Sequence, residues 1–129
     1  MSISLAIALY AVVREVSSAR RAAETARREY IEVIVWLIDD LLKKGDAALA
    51  EAKPEEWIKN SGDAKSTFEL MAKAGAPSDP KLVQLISNPP DTNRQLVFSD
   101  QASASSYVQE QLTKWRAYRY AIKERLADT

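Results

Sequence analysis

Apolar and polar positions divide the N-terminal third of the chain into three consecutive segments. Residues 3–13 carry no charge, residues 14–30 combine arginines with alanine and other short side chains, and residues 30–42 are again strongly apolar. Taken alone, the third segment is dense enough in β-branched residues to form a buried strand. We favour a helix because no turn signal separates it from the segment before it.

One continuous helix over residues 3–44 is therefore predicted. Gly45 follows two lysines, and both features are typical of a helix C-terminus with a left-handed glycine cap. Such a helix is about 60 Å long at 1.5 Å per residue, whereas a compact globule of this size is roughly 30 Å across. Either the helix kinks, or it extends from the globule into an assembly.

The rest of the chain is punctuated by proline and capping residues. Pro54 suits the first turn of a short helix through Trp57, and Asp79 followed by Pro80 is typical of a helix start. Further helices are predicted over residues 64–74 after Asp63, over 80–87, and from Ser99 or Asp100 to about Leu126. Residues 89–99 read as an irregular connection, of which Leu96, Val97 and Phe98 are expected to plug the core.

These elements predict an all-α fold, in which a long N-terminal helix precedes a small helical bundle with a long C-terminal helix. The helix occupies residues 1–45 and the bundle residues 46–129, within one structural domain. In the last helix, Arg119 interrupts the apolar stripe at the spacing of a core position. The predicted core is shared by residues 30–42, 64–74, 82–86 and 108–126, and its C-terminal stripe is Val108, Leu112, Trp115, Ile122 and Leu126.

Composition argues against catalysis. The 129 residues include no cysteine and no histidine, which excludes thiolate chemistry and the commonest general base and zinc ligand. Asp39–Asp40 and Glu55–Glu56 are adjacent pairs whose side chains diverge by about 100° on a helix, so neither is a ready-made dyad. No glycine-rich phosphate loop is present. We therefore expect no enzyme activity, metal, cofactor or small-molecule substrate.

Charge is balanced overall but unevenly distributed. The formal net charge is zero, while residues 1–30 and 107–129 are each net +2 and residues 31–106 are net −4. Such asymmetry can place two parts of one molecule in different environments. Differences of this size also arise by chance in short windows.

The arginines of residues 14–28 form the clearest candidate site. Arg14, Arg21 and Arg28 recur every seven residues, about 10.5 Å apart on one face of a helix. On that face only short side chains lie between them. Arginine binds phosphate in a bidentate manner, so this face predicts contact with a nucleic-acid backbone without base reading. The alternative is a solvated face balanced by nearby glutamates. The predicted contacts are Arg14, Ser17, Ser18, Arg20, Arg21, Thr25, Arg27 and Arg28.

A second basic surface is predicted on the C-terminal helix, where aromatic and basic residues interleave in "KWRAYRYAIKER". The alternative is a core stripe with a solvated back. The candidate secondary nucleic-acid contacts are Lys114, Arg116, Tyr118, Arg119 and Lys123.

The uncharged segment at residues 3–13 is shorter than the roughly 20 apolar residues that span a bilayer. It also lacks the basic start and the small-residue cleavage site of a signal peptide. A helix that is apolar on all sides must be buried on all sides, either as the central core helix or against neighbouring copies. The predicted subunit contacts are Ile3, Leu5, Ile7, Leu9, Tyr10 and Val13.

The arrangement resembles the all-helical coat proteins of filamentous archaeal DNA viruses. The matching parts are the N-terminal helix with "SSARRAAETARR", the C-terminal helix "SSYVQEQLTKWRAYRYAIKERL" and the chain length. The resemblance implies a subunit that oligomerises, wraps double-stranded DNA and is found in the virion, or in the host cytoplasm before assembly. Its partners would be further copies of itself, a second related coat chain, and DNA or RNA.

Two other functions fit the same sequence. A cytoplasmic helical adaptor or regulator would dock its N-terminal helix in a groove of a partner protein. A peripheral membrane protein would place residues 3–13 in the lipid interface and its arginines on anionic lipid.

Overall fold

The structure is a computed structural model that describes the side chains of residues 18–73, 79–93 and 95–127, and the backbone also of residues 3–17 and 74–75. Within these ranges it contains five α-helices and no β-strand, which confirms the predicted all-α fold. The helices are α1 (Ile3–Ala50), α2 (Pro54–Ser61), α3 (Ala64–Gly75), α4 (Pro80–Ile86) and α5 (Gln101–Glu124).

Three helices begin where local signals predict. Pro54 stands in the first turn of α2, where its missing N–H leaves no helical hydrogen bond unmade. The side chain of Asp79 accepts a hydrogen bond from the Leu82 N–H of α4 at 3.1 Å. Asp100 caps α5 in the same way, accepting from the Ser103 N–H at 2.7 Å. These caps satisfy backbone donors that a helix start leaves open.

The predicted glycine cap of α1 is wrong. Gly45 is buried inside the helix, which continues to Ala50. A Cβ atom at Gly45 would overlap Cδ2 of Leu112, so the absence of a side chain here favours the close approach of α1 and α5. Packing between helices therefore overrides the tendency of glycine to end a helix.

The actual end of α1 uses an alanine in the left-handed conformation. Ala52 has φ 57°, the N–H of Lys53 donates to the Ala48 carbonyl at 2.8 Å, and the N–H of Ala52 donates to the Leu49 carbonyl at 3.2 Å. This is the Schellman pattern, which normally places glycine at the left-handed position.

The core lies where α5 packs against α1, α2 and α4. Phe68, Trp115 and Tyr118 form an aromatic cluster with ring centroids 5.4 to 5.8 Å apart. The buried apolar side chains are Ile31, Ile34, Ile38, Trp57, Ile58, Phe68, Ala72, Leu82, Ile86, Ala104, Val108, Leu112, Trp115, Tyr118 and Ile122. All four predicted core segments contribute to this set, and α2 adds Trp57 and Ile58, which the sequence pattern did not indicate.

The predicted core plug is only partly correct. Phe98 is half-buried, and its ring centroid lies 5.4 Å from that of Tyr107 with the two rings tilted, but Leu96 and Val97 are exposed, Val97 to 94%. Residues 89–93 and 95–99 form no regular element, as predicted.

Candidate nucleic-acid interface

The two halves of α1 lie in different surroundings. Between residues 18 and 26, every side chain except Glu24 is exposed, whereas residues 27–49 contribute a regular series of buried positions to the bundle. The 48 residues of α1 extend over about 72 Å at 1.5 Å per residue. We call residues 18–26 the arm, because their helix stands clear of the bundle core.

The arm presents arginines among short side chains. Arg20 and Arg21 are exposed on it, and Ser18 and Thr25 are exposed beside them. Arg28, just below the arm, is also exposed, with its Nε 3.3 Å from Oε1 of Glu24. An exposed pair of this kind contributes little to stability, so it can exchange for a phosphate at small cost.

Arg27 does not belong to this exposed set, contrary to prediction. Its side chain is buried, and its Nε donates to Oδ2 of Asp79 at 3.1 Å. Its Nη2 donates to the backbone carbonyl of Arg125, whose own Nη2 donates to both carboxylate oxygens of Asp79 at 3.0 and 2.9 Å. Arg27 therefore fastens α1 to the start of α4 and the end of α5, and is not available to an external phosphate.

Asp79 is the acceptor at the centre of this network. Burial acts to raise the pKa of its carboxyl group, but hydrogen bonds from Arg125, the Leu82 N–H and Arg27 outweigh that effect and hold the pKa below its usual value. The carboxylate is thus charged at neutral pH and is satisfied by two guanidinium groups, as a buried charge must be.

Several predicted residues lie outside the described side chains. The α1 backbone is helical through them. They are Arg14 and Ser17 of the arginine face, and Ile3, Leu5, Ile7, Leu9, Tyr10 and Val13 of the predicted subunit contact.

The second candidate surface, on α5, is divided by the fold. Tyr118 is buried, and its hydroxyl donates to the Ile86 carbonyl at 2.9 Å, so its predicted role as a nucleic-acid contact is wrong. Burial, with a smaller contribution from Tyr30, raises its pKa well above the usual value. Arg119 and Arg116 pair with Asp39 and Asp46 of α1.

The remaining basic residues of α5 are exposed. Lys114 lies 3.5 Å from Glu110 one turn away, and Lys123 is exposed near the end of the helix. Because three of the four basic side chains already face carboxylates, this surface offers less uncompensated positive charge than the arm.

Two features of α1 were missed by reasoning from the sequence. Arg27 lies on the same helical face as the buried Ile31, Ile34 and Ile38, and a place on that face indicates burial. Trp36 is large and apolar but 65% exposed, and its position beside buried residues in a solid apolar run gave no signal of exposure.

In the described part of the chain, no group of three or more metal-ligating side chains comes together, and no helix is long and apolar enough to span a bilayer. Comparison with protein-family models, curated proteins and solved structures finds no match to this chain.

Proposed function

We propose that this protein is a structural assembly subunit that oligomerises and binds double-stranded nucleic acid through the arm of α1. The observation that carries the proposal is the exposure of the arm, with Arg20 and Arg21 projecting from it and Arg28 exposed just below it. A helix that stands clear of its own core gains little stability from tertiary packing. We infer that its surface is kept for partners.

Phosphate is the ligand that these side chains suit best. Guanidinium groups stay charged and form paired hydrogen bonds to phosphate oxygens, and short neighbours such as Ser18 and Thr25 let the helix backbone approach a polyanion. The same contacts give affinity without base reading. Since the whole chain has no net charge, attraction arises from the arm itself and from the repetition of many arms along one nucleic acid.

The resemblance to coat proteins of filamentous archaeal viruses suggests what form this assembly takes. In the proposed form, many copies wrap DNA within a virion filament, alone or with a second coat chain. This more specific proposal rests on the similarity of arrangement and on the exposed arm, and it predicts growth of long particles rather than a small closed oligomer.

The test is light scattering on protein purified at high salt and then titrated with double-stranded DNA at several lower salt concentrations. We expect large or filamentous particles whose formation falls steeply as salt rises, because phosphate contacts release counterions. The variant Arg20→Ala/Arg28→Ala should retain its helical circular dichroism and lose most of its DNA-dependent growth.

The matched control is Lys114→Ala/Lys123→Ala, which removes the same formal charge from exposed positions of α5. It should retain most of the DNA response. Loss of binding in this variant instead of the arm variant would move the interface to α5. A wild-type oligomer that ignores DNA at low salt would reject the nucleic-acid function and favour a helical adaptor.

A further inference from the structure

One face of α1 is apolar except for Glu29 and has no partner among the described residues. Val33 and Trp36 are 51% and 65% exposed, although both belong to the half of α1 that packs in the bundle. Helical spacing continues their face into the arm, where the exposed side chains are alanines. The steps alternate between three and four residues, the spacing of a helix–helix seam. We call this face the seam stripe: Ala19, Ala22, Ala26, Glu29, Val33 and Trp36.

We propose that the seam stripe binds the same stripe of a second copy of this chain, with the two α1 helices antiparallel. Charge complementarity identifies the occupant. The exposed charges of residues 18–28 are three arginines, beside the half-buried Glu24, because Arg27 is buried. The exposed charges of residues 29–40 are four carboxylates, of which Asp39 and Asp40 already pair with Arg119 and Lys44. An antiparallel pair lays the basic half of each helix on the acidic half of the other, and does so twice by two-fold symmetry. A parallel pair would place like charges together.

Side-chain size supports the same orientation. In an antiparallel seam with this spacing, Ala22 lies opposite Val33 of the partner subunit and Ala19 lies opposite Trp36 of the partner subunit. The short alanines leave space for the two large exposed side chains, so each of these two layers joins one small and one large residue. Burial of Trp36 in this way removes the large exposed part of its ring from water.

An ion pair across the seam follows from this register. Arg21 and Glu32 are both exposed, lie on the same flank of the stripe, and each stands one residue from the Ala22–Val33 layer. Neither forms a salt bridge among the described residues. Arg20 and Arg28 are about 150° and about 130° around the helix from the centre of the stripe. They stay turned away from the partner, toward a nucleic acid.

This pairing identifies a second copy of the chain as the partner in the assembly proposed above, and it rests on that proposed function. The experiment omits nucleic acid, so that the two proposals can fail separately. Sedimentation equilibrium at low ionic strength should show a dimer for the wild-type chain. Trp36→Ala should raise the dimer Kd at least about tenfold, because it removes the largest aromatic side chain of the seam. The control Leu70→Ala, on α3 and also 65% exposed in the wild type, should leave the Kd unchanged.

Charge reversal tests the orientation. Arg21→Glu and Glu32→Arg should each weaken the dimer, and the double variant should restore it to within about threefold of wild type. Failure of the double variant to recover overturns the antiparallel register. A chain that stays monomeric up to about 1 mM, or an oligomer that Trp36→Ala leaves intact, overturns the pairing itself. Arg20→Ala/Arg28→Ala should keep the dimer, so a dimer that does not bind DNA would refute only the nucleic-acid function.

Discussion

The arm and the part of α1 that packs in the bundle (residues 27–49, the bundled half) belong to one unbroken helix but are stabilised differently. In the bundled half, Ile31, Ile34 and Ile38 are fully buried, one or two turns apart, against the rest of the bundle. In the arm, alanine, arginine and glutamate favour the helix through intrinsic propensity and local pairing. The bundled half therefore specifies the fold, while the arm is a helical extension whose side chains are exposed to solvent.

The two halves meet at Arg27. It is the first buried side chain of α1 in the described range, and it is charged rather than apolar. Its contacts with Asp79 and the Arg125 carbonyl fix the direction in which the arm leaves the bundle. A buried ion pair is weak evidence for net stability, but removal of one partner leaves an uncompensated charge.

The largest expected effect comes from Asp79→Asn, which removes the carboxylate between Arg27 and Arg125. We expect the free energy of unfolding to fall by about 3 kcal/mol, because two guanidinium groups then lose their buried counter-ion. Urea denaturation measures the change. The control is Asp91→Asn, where the exposed carboxylate lies 3.4 Å from Lys65 and the expected change is below about 0.5 kcal/mol.

The pH dependence of the same pair sharpens this prediction. The pKa of Asp79 is lower in the folded protein than its usual value. Its stabilising contribution is therefore fully present above the unfolded pKa of about 4, and it is lost as the pH falls through the folded pKa. The difference in unfolding free energy between wild type and Asp79→Asn should be constant from about pH 5 to 7 and shrink below about pH 4. A difference that grows on acidification would contradict this origin.

A smaller loss is expected from Gly45→Ala in the bundled half. Alanine has higher helix propensity than glycine by about 1 kcal/mol, but its Cβ atom would overlap Leu112 and force the α1–α5 contact to shift. Overpacking of this kind costs about 1–3 kcal/mol, so we expect a net loss of about 1 kcal/mol in urea denaturation. The control is Gly62→Ala, where the glycine already has right-handed helical geometry and no loss is expected.

Much of the fold could be predicted because its signals are local. A proline in a first turn or an aspartate cap acts within four residues, so Pro54, Asp79 and Asp100 could be recognised in the sequence alone. Gly45 could not, because its role depends on Leu112, which lies 67 positions later in the sequence and reaches it only in the fold. In the sequence Gly45 resembles a helix cap, whereas in the fold its missing side chain leaves room for Leu112.

The candidate site was predicted less well, for the same reason. Exposure of Arg21 and Arg28 follows from their helical face, but the burial of Arg27 depends on Asp79 in another helix. Tyr118 likewise turns into the core because the Ile86 carbonyl accepts its hydroxyl and Phe68 and Trp115 surround its ring. A helical wheel gives the direction of a side chain, whereas its environment depends on which helices pack there.

The smallest expected effect is a gain, from Ala52→Gly at the bundled end of α1. Ala52 adopts φ 57°, a left-handed conformation that costs a residue with a Cβ atom about 1–2 kcal/mol and costs glycine almost nothing. Part of this gain is offset because glycine has more freedom in the unfolded chain, so we expect about 0.5–1 kcal/mol of stabilisation in urea denaturation. Native-state hydrogen exchange should slow near Leu49 and Lys53 and remain unchanged at Ala22 and Ala23, since the arm draws no stability from that end. Slower exchange throughout α1 would instead mean that arm and bundle unfold as one unit, and the division of the helix into two independently stabilised halves would be wrong.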